Sequence, residues 1–267
     1  MNNSVSIKDL EFSYLDNAIF EGLSTYIESN SFVSIIGNNG SGKSTLLKVI
    51  AGILEYKGEV IIDNNIVTKE NKYDIKKYIG FIDGDIDNYF VSDNVIVDLV
   101  FALENLGLSK EVITERLDNI ISLFRLGDIK DKNISDLNKK EKIILAISCS
   151  LIYNPRILLL DEVFGNLDRA SRTEIFKLLK DYKSKNNLTI IMVTHDMEDT
   201  LYSDKIIVMD NGKIVRYDSV INIYKDKCLI DRYNINIPFV IELSMLLKSH
   251  GIIEDIYTDI DKLMEEL

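Results

Sequence analysis

Cysteine is scarce in this chain: Cys149 and Cys228 are its only two, far apart. They form neither a disulfide framework nor a zinc-binding spacing, which suits a reducing compartment, and Cys149 is expected in the core. No apolar run approaches the roughly 20 residues that a membrane-spanning helix requires. The polar start Met1-Asn2-Asn3-Ser4 is not expected to act as a signal peptide. Positive charge is also short, since 31 Lys+Arg against 43 Asp+Glu leave a net charge of −12. That balance argues against a broad nucleic-acid footprint and against direct attraction to an anionic membrane. A basic partner is the better expectation, and any membrane association should run through another protein. Internal repeats and low-complexity tracts are absent, and proline occurs only as Pro155 and Pro238.

What is present suffices for a core: 267 residues with 46% hydrophobic content fit one large α/β domain with an appendage. Its most informative stretch is Gly37-Asn38-Asn39-Gly40-Ser41-Gly42-Lys43-Ser44, between the apolar run Phe32–Ile36 and the helical-looking Thr45–Ile50. Strand, glycine-rich loop and helix follow in that order, and G-x-x-x-x-G-K-[ST] is satisfied at every fixed position. A glycine-rich turn before an ordinary helix would not require this complete match. The glycines let the backbone fold tightly, so that its N–H groups and the helix N-terminus converge on an anion while Lys43 reaches the terminal phosphates. Ser44 then offers a hydroxyl to Mg²⁺. A nucleotide with Mg²⁺ is the ligand this reading expects.

Around the loop, Val5–Lys8 to Phe12–Tyr14 and then Ser24–Glu28 read as antiparallel strands, and Glu59–Asn65 as another strand with its turn. Lys76–Ile82 leads into an acidic loop, Asp83-Gly84-Asp85-Ile86-Asp87. From about 95 to 152 apolar residues recur mostly at helical spacing, as in Val95, Leu99, Leu103 and Leu106, predicting a helical insert. Ile157–Leu160 and Leu188–Thr194 read as buried parallel strands, with a helix over Thr173–Lys185 between them. The Asn211-Gly212 pair predicts a two-residue hairpin turn.

Two further positions carry chemistry. Asp161 and Glu162 end an apolar strand on the side where open α/β sheets bind ligands. Asp161 is expected to hold Mg²⁺ and Glu162 to polarise the attacking water. Carboxylates often end strands, so the assignment leans on the phosphate loop upstream. His195, one of two histidines, stands at the equivalent end of the next strand.

Together these stretches resemble the ATP-binding cassette ATPases. Gly37–Thr45 resembles the Walker A motif and Ile157–Glu162 Walker B, while Asn166-Leu167-Asp168 is similar to the D-loop and Val193–Asp196 to the switch-histidine segment. Tyr14 matches the aromatic that stacks on adenine. Within the family, the chain is most similar to the ATPase subunits of energy-coupling factor transporters. Glu104-Asn105-Leu106-Gly107-Leu108 is typical of that branch, and Ile237–Leu243 with Gly251-Ile252 resembles its C-terminal domain.

Two departures from the family pattern stand out. The signature Leu-Ser-Gly-Gly-Gln is replaced by Leu137-Asn138-Lys139-Lys140-Glu141, with both glycines gone. In the family this segment begins a helix and meets the γ-phosphate held by the other subunit. Asn138 with Glu141 still reads as an N-cap and capping box. Lys139 and Lys140 oppose the helix dipole at roughly 0.3–1 kcal/mol each unless an anion sits opposite. Either they meet nucleotide phosphate by charge, or this surface has lost its role, and impaired function is the favoured expectation. The second departure is the Q-loop glutamine, whose position is held by Gly84. Asp83, Asp85 and Asp87 superficially resemble a calcium loop, but Asn88 replaces its turn glycine and Asn94 its bidentate glutamate. A solvated acidic loop and an acidic lip receiving arginines from a membrane partner remain as alternatives.

The expected fold is therefore α/β, a P-loop core of ATP-binding cassette type with an antiparallel edge sheet, an inserted helical subdomain (about 95–152) and a small C-terminal domain. The cassette is expected over residues 1–228 and the C-terminal domain over 229–267. The resemblance implies an ATP-hydrolysing subunit of a vitamin or transition-metal importer at the cytoplasmic face of the membrane. It implies half of a head-to-tail dimer, more readily a heterodimer with a second cassette ATPase, beside a transmembrane coupling subunit and a substrate-binding membrane subunit. A largely non-hydrolytic, nucleotide-gated dimerisation subunit is the alternative favoured by the two departures. A soluble cassette protein acting on ribosomes or DNA conflicts with the net charge of −12.

Overall fold

The structure is a computed structural model describing residues 3–104 and 107–267. Asn105 and Leu106, from the branch-typical stretch and from the helical-spacing example, lie outside the described residues. The chain opens on a long hairpin, β1 (Asn3–Tyr14) and β2 (Asn17–Glu28), and continues through β3 (Phe32–Gly37) into α1 (Lys43–Ile50). The second strand starts at Asn17 rather than Ser24, because irregularities in the β1–β2 register interrupt the alternation that a sequence pattern detects. Next come β4 (Lys57–Ile62), the short β5 (Asn65–Ile66), α2 (Lys72–Lys76) and β6 (Ile79–Asp83).

The helical insert follows as α3 (Val95–Glu104), α4 (Lys110–Leu123) and α5 (Lys139–Leu151). After it, β7 (Ile157–Asp161), α6 (Arg169–Asn186) and β8 (Thr189–Val193) resume the alternation. The hairpin β9 (Lys205–Asp210) and β10 (Lys213–Ser219) leads to α7 (Val220–Lys225), α8 (Lys227–Tyr233), α9 (Phe239–Ser249) and α10 (Ile260–Glu265). None of the described helices is long and apolar enough to cross a membrane.

Two sheets organise these elements. One runs β2-β1-β4-β5 and is antiparallel; the other runs β10-β9-β3-β8-β7-β6 and is parallel apart from β10. Side chains alternate across a strand, so an apolar run buried on both faces feeds two cores. In β7, Leu158 and Leu160 join the cluster built by α3–α6, whereas Ile157 and Leu159 join that of α1, β1, β2 and β4. A third cluster gathers Ile36, Ile206 and Val208 of the main sheet with α7–α10. The expected division after residue 228 falls inside α8, and Val220, Ile223 and Tyr224 of α7 share the same cluster as the helices after it.

Strand register puts four C-terminal ends in one row. Asp83 pairs with Asp161, Asp161 with Val193, and Val193 with Ile35. The residues that follow each pair therefore emerge side by side.

Candidate functional site

The row is Gly84, Glu162, His195 and the loop from Gly37. Between β3 and α1 that loop turns with Gly37, Gly40 and Gly42 all at positive φ. Two of these glycines are also required by close approach. A Cβ at Gly37 would lie 2.1 Å from the Met209 carbonyl oxygen, and one at Gly42 would lie 2.9 Å from the Phe20 ring. Thus β9 and the start of β2 press the loop into shape. The Asn211-Gly212 turn adds to this, as the Gly212 N–H donates to the Ser41 carbonyl at 3.1 Å. The turn was legible in the sequence, but its role as a buttress was not, because the partners lie about 170 residues apart by their numbers.

Lys43 is 5% exposed and its ammonium donates to the Gly37 and Asn38 carbonyls at 2.9 and 3.0 Å. Burial lowers its pKa, while Glu162 and Asp161 pull it back up. Helix α1 begins at Gly42 with no side-chain cap and no acidic residue in its first turn, so no side chain competes for its leading N–H groups. Ser41 Oγ is buried without a hydrogen-bond partner. This donor set suits an anion: free N–H groups, an ammonium and an orphaned hydroxyl converge on one loop.

Across the loop, Ser44 Oγ donates to Asp161 Oδ1 at 2.8 Å. Burial raises the Asp161 carboxyl above its ordinary range, with the Ser44 hydrogen bond opposing. A buried carboxylate and a hydroxyl in contact, beside a phosphate cradle, are hard oxygen ligands of the kind Mg²⁺ takes. Glu162 follows with φ 56°, a left-handed conformation unusual for a residue with a Cβ, and its N–H donates to the Val193 carbonyl at 3.1 Å. Its Oε1 lies 2.7 Å from His195 Nε2. The structure thus brings Lys43, Ser44, Asp161, Glu162 and His195 together.

Tyr14 ends β1 opposite Asn17; the residue is 45% exposed and its ring stands edge-on to Phe12 at 4.7 Å. The same hairpin contacts Gly42 through Ile19 and Phe20. Asp168 caps α6 by accepting from Ser171 N and Oγ at 2.9 and 2.6 Å, which holds its carboxyl below the usual range. That cap starts α6 at Arg169, earlier than the Thr173 expected from periodicity. Gly84 lies against the backbone of Glu162, whose oxygen a Cβ at 84 would approach to 3.3 Å. Of the acidic loop, Asp85 accepts from Asn88 Nδ2 at 2.8 Å and Asp87 pairs with Lys142 at 2.6 Å.

At the altered signature, Leu137 is buried and Asn138 closes a complete capping box with Glu141. The two lysines differ. Lys139 is exposed, whereas Lys140 is half-buried and bridges to Glu174 of α6. Of the two alternatives, charge contact with an anion from outside is left to Lys139, because the anion opposite Lys140 is supplied by this chain. Sequence reasoning also missed Arg172, which donates to the Leu167 carbonyl and to the carboxylates of Asp196 and Asp199. A lone arginine in a helical pattern carries no signal of its own.

Comparison with known proteins places the chain in a family and a fold. The profile of the ABC transporter family matches residues 20–165. The energy-coupling factor transporter ATP-binding protein EcfA of Pediococcus pentosaceus is 34% identical over 94% of this chain and 91% of its own length. EcfA of Onion yellows phytoplasma is 35% identical over 90% of this chain and 88% of its own. Among solved structures, CbiO1 of Clostridium perfringens, described as part of the ABC transporter complex CbiONQ, superposes with a TM-score of 0.80 at 28% identity. It covers 93% of this chain and 100% of its own. MJ1267, an ATP-binding cassette of an ABC transporter in its ADP conformation, has a TM-score of 0.76 at 22% identity over 88% of this chain and 100% of its own, and supports the fold alone.

Proposed function

From the premise that the chain belongs to the ABC transporter family and, within it, to the ATP-binding proteins of energy-coupling factor transporters, we propose that it drives import of a vitamin or a transition-metal ion as one half of a head-to-tail heterodimer. The chain is an ATPase subunit that works with membrane transporter partners. In this reading those partners are a second cassette ATPase, a transmembrane coupling subunit and a substrate-binding membrane subunit, all met at the cytoplasmic face.

The residues divide the work. The loop Gly37–Thr45 and Lys43 bind the phosphates, and Tyr14 stacks on adenine. Ser44 and Asp161 hold Mg²⁺, which when bound neutralises charge on the phosphate oxygens. Glu162 polarises the attacking water by accepting its hydrogen bond, and His195 orients Glu162 and faces the γ-phosphate. Asp168 contributes from the D-loop, and the acidic lip around Gly84 receives basic side chains of the coupling subunit. The observation that carries the reading is the single row of strand ends, in which the phosphate loop, Asp161, Glu162 and His195 stand together.

Lys140, tied to Glu174, and the missing glycines at 139 and 140 favour a second reading for the site that this chain's signature completes: it holds nucleotide and hydrolyses it poorly. Purifying the tagged full chain from detergent-solubilised membranes tests the main reading. Recovery of a second cassette ATPase with two integral-membrane proteins, and Mg-ATP hydrolysis lost on Glu162→Gln, is the expected result. Recovery with ribosomes or DNA would overturn it.

A further inference from the structure

Arg172 lies in the first turn of α6, four residues after Asp168, with its side chain only 15% exposed. Its guanidinium reaches two separate loops. Nε donates to the Leu167 carbonyl at 3.0 Å, while Nη1 donates to the carboxylate of Asp196 and to Asp199 Oδ1 at 3.3 Å. Those two carboxylates build the turn behind His195. Asp196 Oδ1 accepts the Glu198 N–H at 3.0 Å, and Asp199 Oδ2 accepts the Thr194 hydroxyl at 2.9 Å. Among the described residues, no other cation bridges to either.

We propose that Arg172 is a positioning residue, which locks the Leu167-Asp168 turn to the Thr194–Asp199 segment and thereby sets His195 against Glu162. The role rests on reading Glu162 and His195 as the hydrolytic pair. Only a planar fork of several donors spans three acceptors on two loops at once, which lysine cannot reproduce. Without the guanidinium, two carboxylates face one another, one of them 3% exposed, and the cost of an uncompensated buried charge drives the segment apart. A shift of the Leu167-Asp168 turn is then no longer felt at His195.

The full chain contains two histidines, His195 and His250, so selectively labelled imidazole resonances report on His195 directly. Arg172→Met is expected to move the His195 resonances toward those of Glu162→Gln, leaving His250 unmoved and the affinity for a fluorescent ATP analogue within about threefold. In the assembled transporter kcat should fall by about 10²-fold at nearly constant KM, as for a small misplacement of a reacting group. Arg172→Lys should recover only part of the loss. If Arg172→Met does not fold, Arg172→Met with Asp199→Asn removes the stranded carboxylate, and the same His195 shift is expected. Unmoved His195 resonances, or an analogue affinity and KM that worsen as steeply as kcat, overturn the proposal. Glu162→Gln with undiminished hydrolysis would instead remove the hydrolytic reading, while the His195 resonances still decide the role of Arg172.

Discussion

Glu162 Oε1 and His195 Nε2 lie 2.7 Å apart although 33 positions separate them in the chain. Each follows a parallel strand, and the pairing of Asp161 with Val193 brings the two strand ends level. Both side chains remain roughly half exposed, at 46% and 45%, and so can reach a substrate as well as one another. The left-handed backbone of Glu162 fixes its direction at a cost of about 1–3 kcal/mol, a strain often found at working residues.

In a heterodimer whose partner carries an intact signature, the site on Lys43, Asp161, Glu162 and His195 is completed by that partner. The opposite site meets Lys139 and a Lys140 already held by Glu174. Glu162→Gln is therefore expected to remove most ATPase activity and transport, and the equivalent change in the partner to cost less. Steady-state rates of the two single mutants check this, and a costlier loss in the partner would reverse the assignment.

Lys43→Ala should abolish Mg-ATP binding. Its ammonium donates to the Gly37 and Asn38 carbonyls, so the cationic charge is already held in the cradle. Titration with a fluorescent ATP analogue measures the effect, and an unchanged affinity would remove the loop from the site.

The chain purified alone is expected to be a poor ATPase, because a homodimer sets the altered signature against both nucleotides. Losing well-placed phosphate donors commonly costs about 10²–10³ in rate. Replacing Lys139 and Lys140 together by glycine should raise phosphate release by the isolated chain about tenfold or more. Robust, cooperative hydrolysis by the unsubstituted chain would contradict the prediction.

Asn138 accepts the Glu141 N–H at 3.0 Å, and Glu141 accepts the Asn138 N–H at 2.8 Å. Breaking this capping box with Asn138→Ala should cost about 1 kcal/mol, a fall in Tm of roughly 2–4 °C. Thermal unfolding reads the change, with affinity for the ATP analogue expected to stay constant, since the cap lies outside this chain's own cradle.

The sequence by itself determined the parts that depend on near neighbours. The phosphate loop was legible because Gly37, Gly40, Gly42, Lys43 and Ser44 act within one turn of chain, and β7 because an unbroken apolar run has few other places to go. The Asn138 cap and the Asn211-Gly212 turn were local for the same reason. Tertiary structure alone decided which strand ends stand level, that Gly212 supports Ser41, that Lys140 is neutralised by Glu174, and that Arg172 joins two loops. Those contacts follow from strand order and register, which arise when distant apolar runs share cores, so each residue's part is set by segments that its own neighbourhood does not encode.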